Sequence, residues 1–148
     1  MNNRTKIGRW LASVGIIILF GGALLHLIAA YPPVSAGVLA SNLDAGLKPA
    51  LRSVFLIVGW HWIVVAIIAF LAAFSRARIG RTLLLICGLA ILVDGAVMAA
   101  LLGWFVGTDM ILLSALLILC GGFALAPAKR ALDEAGFRYR RGVKSRQW

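Results

Sequence analysis

The chain has 148 residues, of which 62% are hydrophobic and 14% are charged. Soluble globular domains place roughly half of their residues in the apolar class, so a water-soluble fold of this length could not bury so much apolar surface. The net charge of +10 does not indicate a nucleic-acid partner, because the basic residues collect in short stretches between long apolar runs. This layout is typical of an all-α, polytopic membrane protein.

Four apolar segments are long enough, or nearly so, to cross the hydrocarbon core as helices, which takes about 20 residues each. They comprise residues 10–31, 53–74, 82–105 and 110–126. Pro32 and Pro33 are expected to end the first helix, because proline cannot continue one. The spacing of Ser41 and Asp44 fits either a capping box that opens a short surface helix or a plain loop. Pro49 suits the first turn of the second span.

Lysine and arginine are distributed unequally between the two sides of these spans. Thirteen of the fifteen lie before the first span, between the second and third, or after the fourth, whereas Lys48 and Arg52 lie in the 32–52 connection. The positive-inside rule therefore predicts a bacterial-type cytoplasmic (inner) membrane protein with both termini in the cytoplasm. The 32–52 loop and a 106–109 turn would face outward. A cleaved signal peptide is the alternative for the first span, but its apolar run is long for such a segment.

A short sequence motif near the beginning of the chain recurs near its middle. Gly8-Arg9-Trp10-Leu11 recurs as Gly80-Arg81-Thr82-Leu83, and after a one-residue shift Gly15, Leu19 and Gly22 align with Gly88, Leu92 and Gly95. A duplication of this kind predicts two parallel helical hairpins within the four-helix bundle. With its Arg-Trp-Leu start and Gly-rich first helix ending near a histidine, the chain resembles small four-span bacterial membrane proteins of the DoxX-like kind. That resemblance implies an architecture and no particular site.

The chain divides into a transmembrane domain, residues 1–128, and a basic cytoplasmic tail, residues 129–148. Within the tail, Lys129 and Asp133 have the four-residue spacing that stabilises a short surface helix. Basic side chains close to the membrane gain roughly 1 kcal/mol each from anionic lipid. The tail is therefore expected to bind anionic lipid head groups, with a macromolecular partner as the alternative.

Three ionisable side chains lie well inside the predicted spans: His26, His61 and Asp94. Such groups are costly in hydrocarbon, so they are candidates for a ligand or proton site. Counted at about 1.5 Å per residue from the outer end of each span, their depths are about 8, 12 and 16 Å, and they could meet in one pocket. Gly15 and Gly22 share a face with His26, which favours an inward-pointing ring.

An imidazole beside a carboxylate suits a proton relay or a quinone-like head group, whereas the structural alternative is a polar clasp between His61 and Asp94. Metal or haem binding is not expected, because no helix carries two ligands at a suitable spacing and the histidines differ in depth by about 5 Å. Successive side chains of a helix differ by about 100°, so Trp60 and Trp62 lie on different faces, and at least one of them faces lipid or a partner.

The remaining features narrow the function without naming it. Cys87 and Cys120 lie in apolar runs and are expected to be packing residues without a disulfide. The chain has no serine-nucleophile motif, phosphate loop or CxxC pair, which excludes soluble enzyme chemistry and assigns no cofactor. The favoured hypothesis is an accessory or assembly subunit of a larger membrane complex, with membrane partners or a homo-oligomer. The alternatives are a site for a small lipid-soluble or protonatable ligand and an oligomeric transporter.

Overall fold

The computed structural model describes residues 3–75 and 78–125. These ranges are entirely helical apart from their connections, and four helices are long and apolar enough to cross a membrane, which confirms the predicted class. The elements are α1 (Asn3–Leu25), a π-helical segment (His26–Ala30), α2 (Tyr31–Ala40), α3 (Leu47–Phe74), α4 (Arg78–Leu102) and α5 (Val106–Ala124). The predicted basic tail, residues 129–148, lies outside the described residues.

The helices run around the bundle in the order α1, α5, α4, α3, so each packs against two neighbours. Alanine is the commonest residue in its interior, whereas many bulky side chains, such as Ile17, Leu71 and Leu101, are exposed. Lipid tails are as apolar as these side chains, so the hydrophobic effect does not drive them inward. Small residues collect between the helices instead, because they allow the backbones to approach closely.

Glycines bring α5 into backbone contact with α1. A Cβ atom built on Gly8 would lie 2.9 Å from the carbonyl oxygen of Gly121, and one on Gly15 would lie 2.8 Å from that of Ser114. On the other side of α5, Gly88 of α4 also faces α5 at a distance too short for a Cβ atom. Gly15 of α1 and its counterpart Gly88 of α4 thus pack against the same helix, whereas Gly80, the counterpart of Gly8, lies against Ala72 of α3. The repeat of two hairpins stays a prediction.

The first helix does not end at Pro32 and Pro33, contrary to the expectation from sequence, but continues to Ala40. A π-helical turn precedes the prolines, in which the N–H of Tyr31 donates to the carbonyl of His26, five residues back. Both prolines then lie in the first turn of α2, where N–H groups need no partner within the new α-helix. The missing donors are therefore accommodated by a change of helix type.

The connection between α2 and α3 is residues 41–46, much shorter than the predicted loop. The hydroxyl of Ser41 donates to a carbonyl three residues back, at 2.6 Å, and so closes α2. The carboxylate of Asp44 accepts from the N–H two residues on, at 2.8 Å, which makes a turn. The two residues do not form a capping box. α3 begins at Leu47, and Pro49 lies in its first turn as expected.

The turn between α4 and α5 is residues 103–105, whereas residues 106–109 were expected. Gly103 has a φ of 79°, in the left-handed region that favours glycine. The hydroxyl of Thr108, in the first turn of α5, donates to the carbonyl of Gly103 at 3.3 Å. The glycine that follows the apolar run was itself the signal for this helix end.

Candidate functional site

His26 is the first residue of the π-helical segment, and such segments occur frequently at functional sites. Its Nε2 atom lies 2.8 Å from the carbonyl oxygen of Phe55 on α3. Because a carbonyl oxygen only accepts, Nε2 carries a proton and donates it to this hydrogen bond. In a neutral imidazole the other nitrogen, Nδ1, is then an acceptor.

Two aromatic rings hold the imidazole in place. It stacks on Phe55 with ring centroids 4.3 Å apart and meets Trp62 edge-on at 5.2 Å. Gly59, one helical turn beyond Phe55, allows this approach, since a Cβ atom there would lie 3.0 Å from Cδ2 of His26 and 2.5 Å from Cδ2 of Leu27. The Cδ2–Nε2 edge of the imidazole therefore packs against α3, and the edge with Nδ1 is the opposite one.

A cavity of about 470 Å³ lies between the helices beside His26. Its volume is in the range of pockets that bind small molecules, roughly 300–1,000 Å³. The nearest atom to a Cβ built on Gly22 is Cε of Met110, at 3.8 Å, so a methyl group there would make an ordinary van der Waals contact, and Gly22 lines the cavity. Other lining side chains include Ile18, Leu25, Met98, Leu102, Phe105 and Ile111. Among the described residues of the wall, His26 alone is ionisable.

Trp62 separates the cavity from a second polar cluster. Its side chain is 3% exposed and lines the cavity, while its Nε1–H donates to Oδ2 of Asp94 at 3.2 Å. Nε2 of His61 lies 3.3 Å from the same oxygen. The side chains of His61 and Asp94 are 47% and 34% exposed, so this pair lies at the outer surface of the bundle, between α3 and α4.

The three predicted site residues are thus linked but do not share a pocket. His26 lines the cavity, and Trp62 touches both its ring and the carboxylate of Asp94. His61 reaches the same carboxylate from outside. A polar clasp and a functional site both stay predictions for the pair of His61 and Asp94. The two tryptophans that flank His61 face different sides of α3, as helical geometry requires. Trp62 is buried and Trp60 is 56% exposed.

In the described part of the chain, the cysteines and the other side chains that can bind metals form no further site. Cys87 is buried, Cys120 is exposed, and both are free thiols. Within residues 3–75 and 78–125, no group of three His, Cys, Asp or Glu side chains is arranged to hold a metal ion. The cavity is therefore the feature from which function can be argued.

Sequence analysis did not identify Phe55, Gly59, Met98 or Met110 as parts of the site. A signal existed for Phe55, which precedes Trp62 by seven residues and so lies on the same face of α3. Nothing comparable marks the two methionines, because apolar residues on adjacent helices are spaced alike whether they close a gap or line one.

No protein-family model, no curated protein and no solved structure matches this chain. The likeness to small four-span membrane proteins therefore stays one of architecture, and the function has to be argued from the cavity and its surroundings.

Proposed function

We propose that this protein binds a small lipid-soluble molecule between its four helices. The observation that carries the proposal is the cavity of about 470 Å³, whose wall is apolar apart from the imidazole of His26 and the indole of Trp62. A concave, mostly apolar surface with few polar groups is the usual form of a small-molecule site, in which the apolar wall supplies affinity and the polar groups fix orientation.

The proposed setting is a bacterial-type cytoplasmic membrane with both termini inside. Arg9 and Arg81 lie at one end of the bundle, where Nε of Arg81 donates to the carbonyl of Gly122 at 3.2 Å. Lys48 and Arg52 lie at the other end, beside α2. The greater number of basic residues near the first end supports a cytoplasmic location for it. The cavity, nearer the second end, would then lie in the outer half of the membrane.

The test uses a side chain that fills the cavity and a matched control. Gly22→Leu places a bulky group in the open space, whereas Gly21→Leu makes the same change at a neighbouring residue with nothing within 4 Å of its Cβ position. Each variant is purified in mild detergent, and its organic extract is analysed by mass spectrometry. We expect a stoichiometric small molecule with wild type and Gly21→Leu but not with Gly22→Leu. Equal amounts in all three folded proteins would contradict the proposal.

The exposed pair of His61 and Asp94 favours a second candidate, an accessory subunit of a larger complex. The surrounding surface is apolar, with exposed side chains such as Ile57, Val64 and Val97. A polar pair in such a surface is costly in hydrocarbon unless another polar group covers it. A helix of a partner protein, or of a second copy, would supply that cover and gain an interhelical hydrogen bond.

Native electrophoresis of mildly solubilised membranes tests the second candidate. We expect wild type to migrate as a larger complex and the double variant His61→Leu/Asp94→Leu to migrate as a monomer at equal abundance. Phe70→Leu is the control, because Phe70 is exposed on the opposite face of α3. Wild type that migrates as a monomer would exclude a stable complex.

Two other expectations receive no support from the described residues. Binding of anionic lipid by residues 129–148 stays a prediction, since that segment lies outside them. An oligomeric transporter likewise has no observation in its favour and is not proposed.

A further inference from the structure

Near His26, the side-chain donors of the cavity are already used in hydrogen bonds, whereas one acceptor is free. The Nε2–H of His26 is already used on the carbonyl of Phe55, which leaves the lone pair of Nδ1. The indole N–H of Trp62 is likewise used, on the carboxylate of Asp94. A group beside His26 therefore meets two side-chain donors that already have partners and an imidazole nitrogen that can accept. The backbone N–H groups of Val106 and Gly107, in the first turn of α5, also belong to the cavity wall.

The backbone beside His26 also has a hydrogen-bond acceptor without a donor. Pro32 and Pro33 have no N–H, so they cannot donate to the carbonyls four or five residues earlier, which belong to the π-helical segment. The carbonyls concerned are those of Leu27, Ile28 and Ala29, and of these three residues only Ala29 lines the cavity. The two prolines thus leave a backbone acceptor at the cavity wall without an N–H donor from α2.

We propose that the ligand of this cavity has a neutral hydroxyl group on an apolar body, as in an alkylphenol or a long-chain alcohol. The hydroxyl donates its proton to Nδ1 of His26, and the apolar body fills the remaining volume. An ether or ketone of the same shape has no proton to donate, so Nδ1 of His26 would stay unpaired in its presence. An ammonium group could donate, but a charge is far more costly than a hydroxyl in an apolar cavity. The inference rests on the proposed function and specifies its ligand.

The experiment compares 4-octylphenol with 4-octylanisole, which differ only in methylation of the hydroxyl. Binding to the full chain in lipid nanodiscs is measured by equilibrium dialysis. For wild type we expect the phenol to bind roughly 3- to 10-fold more tightly, as one neutral hydrogen bond allows. His26→Phe should equalise the two affinities. His26→Gln should keep the preference, because its amide can both donate to Phe55 and accept from the phenol.

The outcomes separate the two proposals. Saturable binding of both probes with equal affinity would overturn the hydroxyl requirement and leave the cavity as a ligand site, whereas no saturable binding of either probe would overturn both. A preference that persists in folded His26→Phe would exclude His26 as the acceptor. Nitrogen-15 NMR of wild type tests the contact without any substitution. We expect the Nδ1 resonance of His26 to shift with octylphenol and not with octylanisole, and an unchanged resonance would contradict the proposal.

Discussion

Gly15 and Gly22 are both glycines on one face of α1, yet Gly15 is tightly packed against α5 and Gly22 is not. A Cβ atom on Gly15 would lie 2.8 Å from the backbone oxygen of Ser114, whereas one on Gly22 would meet nothing closer than a methionine methyl group at 3.8 Å. The two are separated by only about 10 Å along the helix. A row of glycines therefore permits close helix packing but does not impose it.

The difference between the two halves of the bundle comes from the residues around each glycine. The closed half, around Gly15, is filled by alanines such as Ala12 and Ala115, which are fully buried. The open half, around Gly22, contains the rings of Phe55, Trp62 and Phe105. Rigid rings hold the helices apart and leave space between them that alanine would not. We therefore expect substitutions in the two halves to have different effects on stability.

Trp62→Ala should have the largest effect, because it removes a buried ring of the open half. Loss of a large buried aromatic side chain costs about 3–5 kcal/mol in protein cores. Trp60→Ala, two residues away at an exposed position, should cost far less. Thermal unfolding in a single detergent measures both. Equal losses of stability would mean that the ring of Trp62 does not support the bundle.

Gly15→Ala should destabilise the closed half by about 1–3 kcal/mol, since the added methyl group meets a backbone oxygen that cannot rotate away. Gly22→Ala places the same group at ordinary van der Waals distance from Met110 and should be neutral or slightly stabilising. The midpoints of unfolding of the two variants give the comparison. If the two values agreed, the contrast between the halves would be lost.

Gly59→Ala should cost about 1 kcal/mol, less than Gly15→Ala, because the nearest atoms belong to the flexible side chain of Leu27. We also expect the ring of His26 to move away from α3 in this variant. Nitrogen-15 NMR should then show a weakened hydrogen bond from Nε2 to Phe55. An unchanged Nε2 resonance would show that α3 can accept the methyl group without displacing the imidazole.

Trp62→Phe should have the smallest effect, about 0.6 kcal/mol, which is the average for an interhelical hydrogen bond in a membrane. It keeps an aromatic ring at this position, smaller than indole, and removes the N–H that donates to Asp94. Unfolding measured beside Trp62→Ala separates the contribution of the ring from that of the hydrogen bond. A loss as large as that of Trp62→Ala would assign the stability to the polar link.

The sequence by itself determined the helical class, four apolar helices and the identity of the ionisable residues within them. These properties depend on sums over contiguous residues, because the transfer of a segment into lipid depends on its own composition. For the same reason His26, His61 and Asp94 could be singled out from the chain alone. The match of Pro49 to the first turn of α3 has a similarly local cause.

Only the tertiary structure decided where the first helix ends, which tryptophan faces inward and where space remains between the helices. The prolines of α2 were misjudged because a π turn, packed against Gly59 of α3, accommodates them without ending the helix. The estimated depths of His26 and His61 allow a shared pocket, yet Trp62 stands between them. Such outcomes depend on how closely two backbones approach, and that distance is set by pairs of residues far apart in the chain.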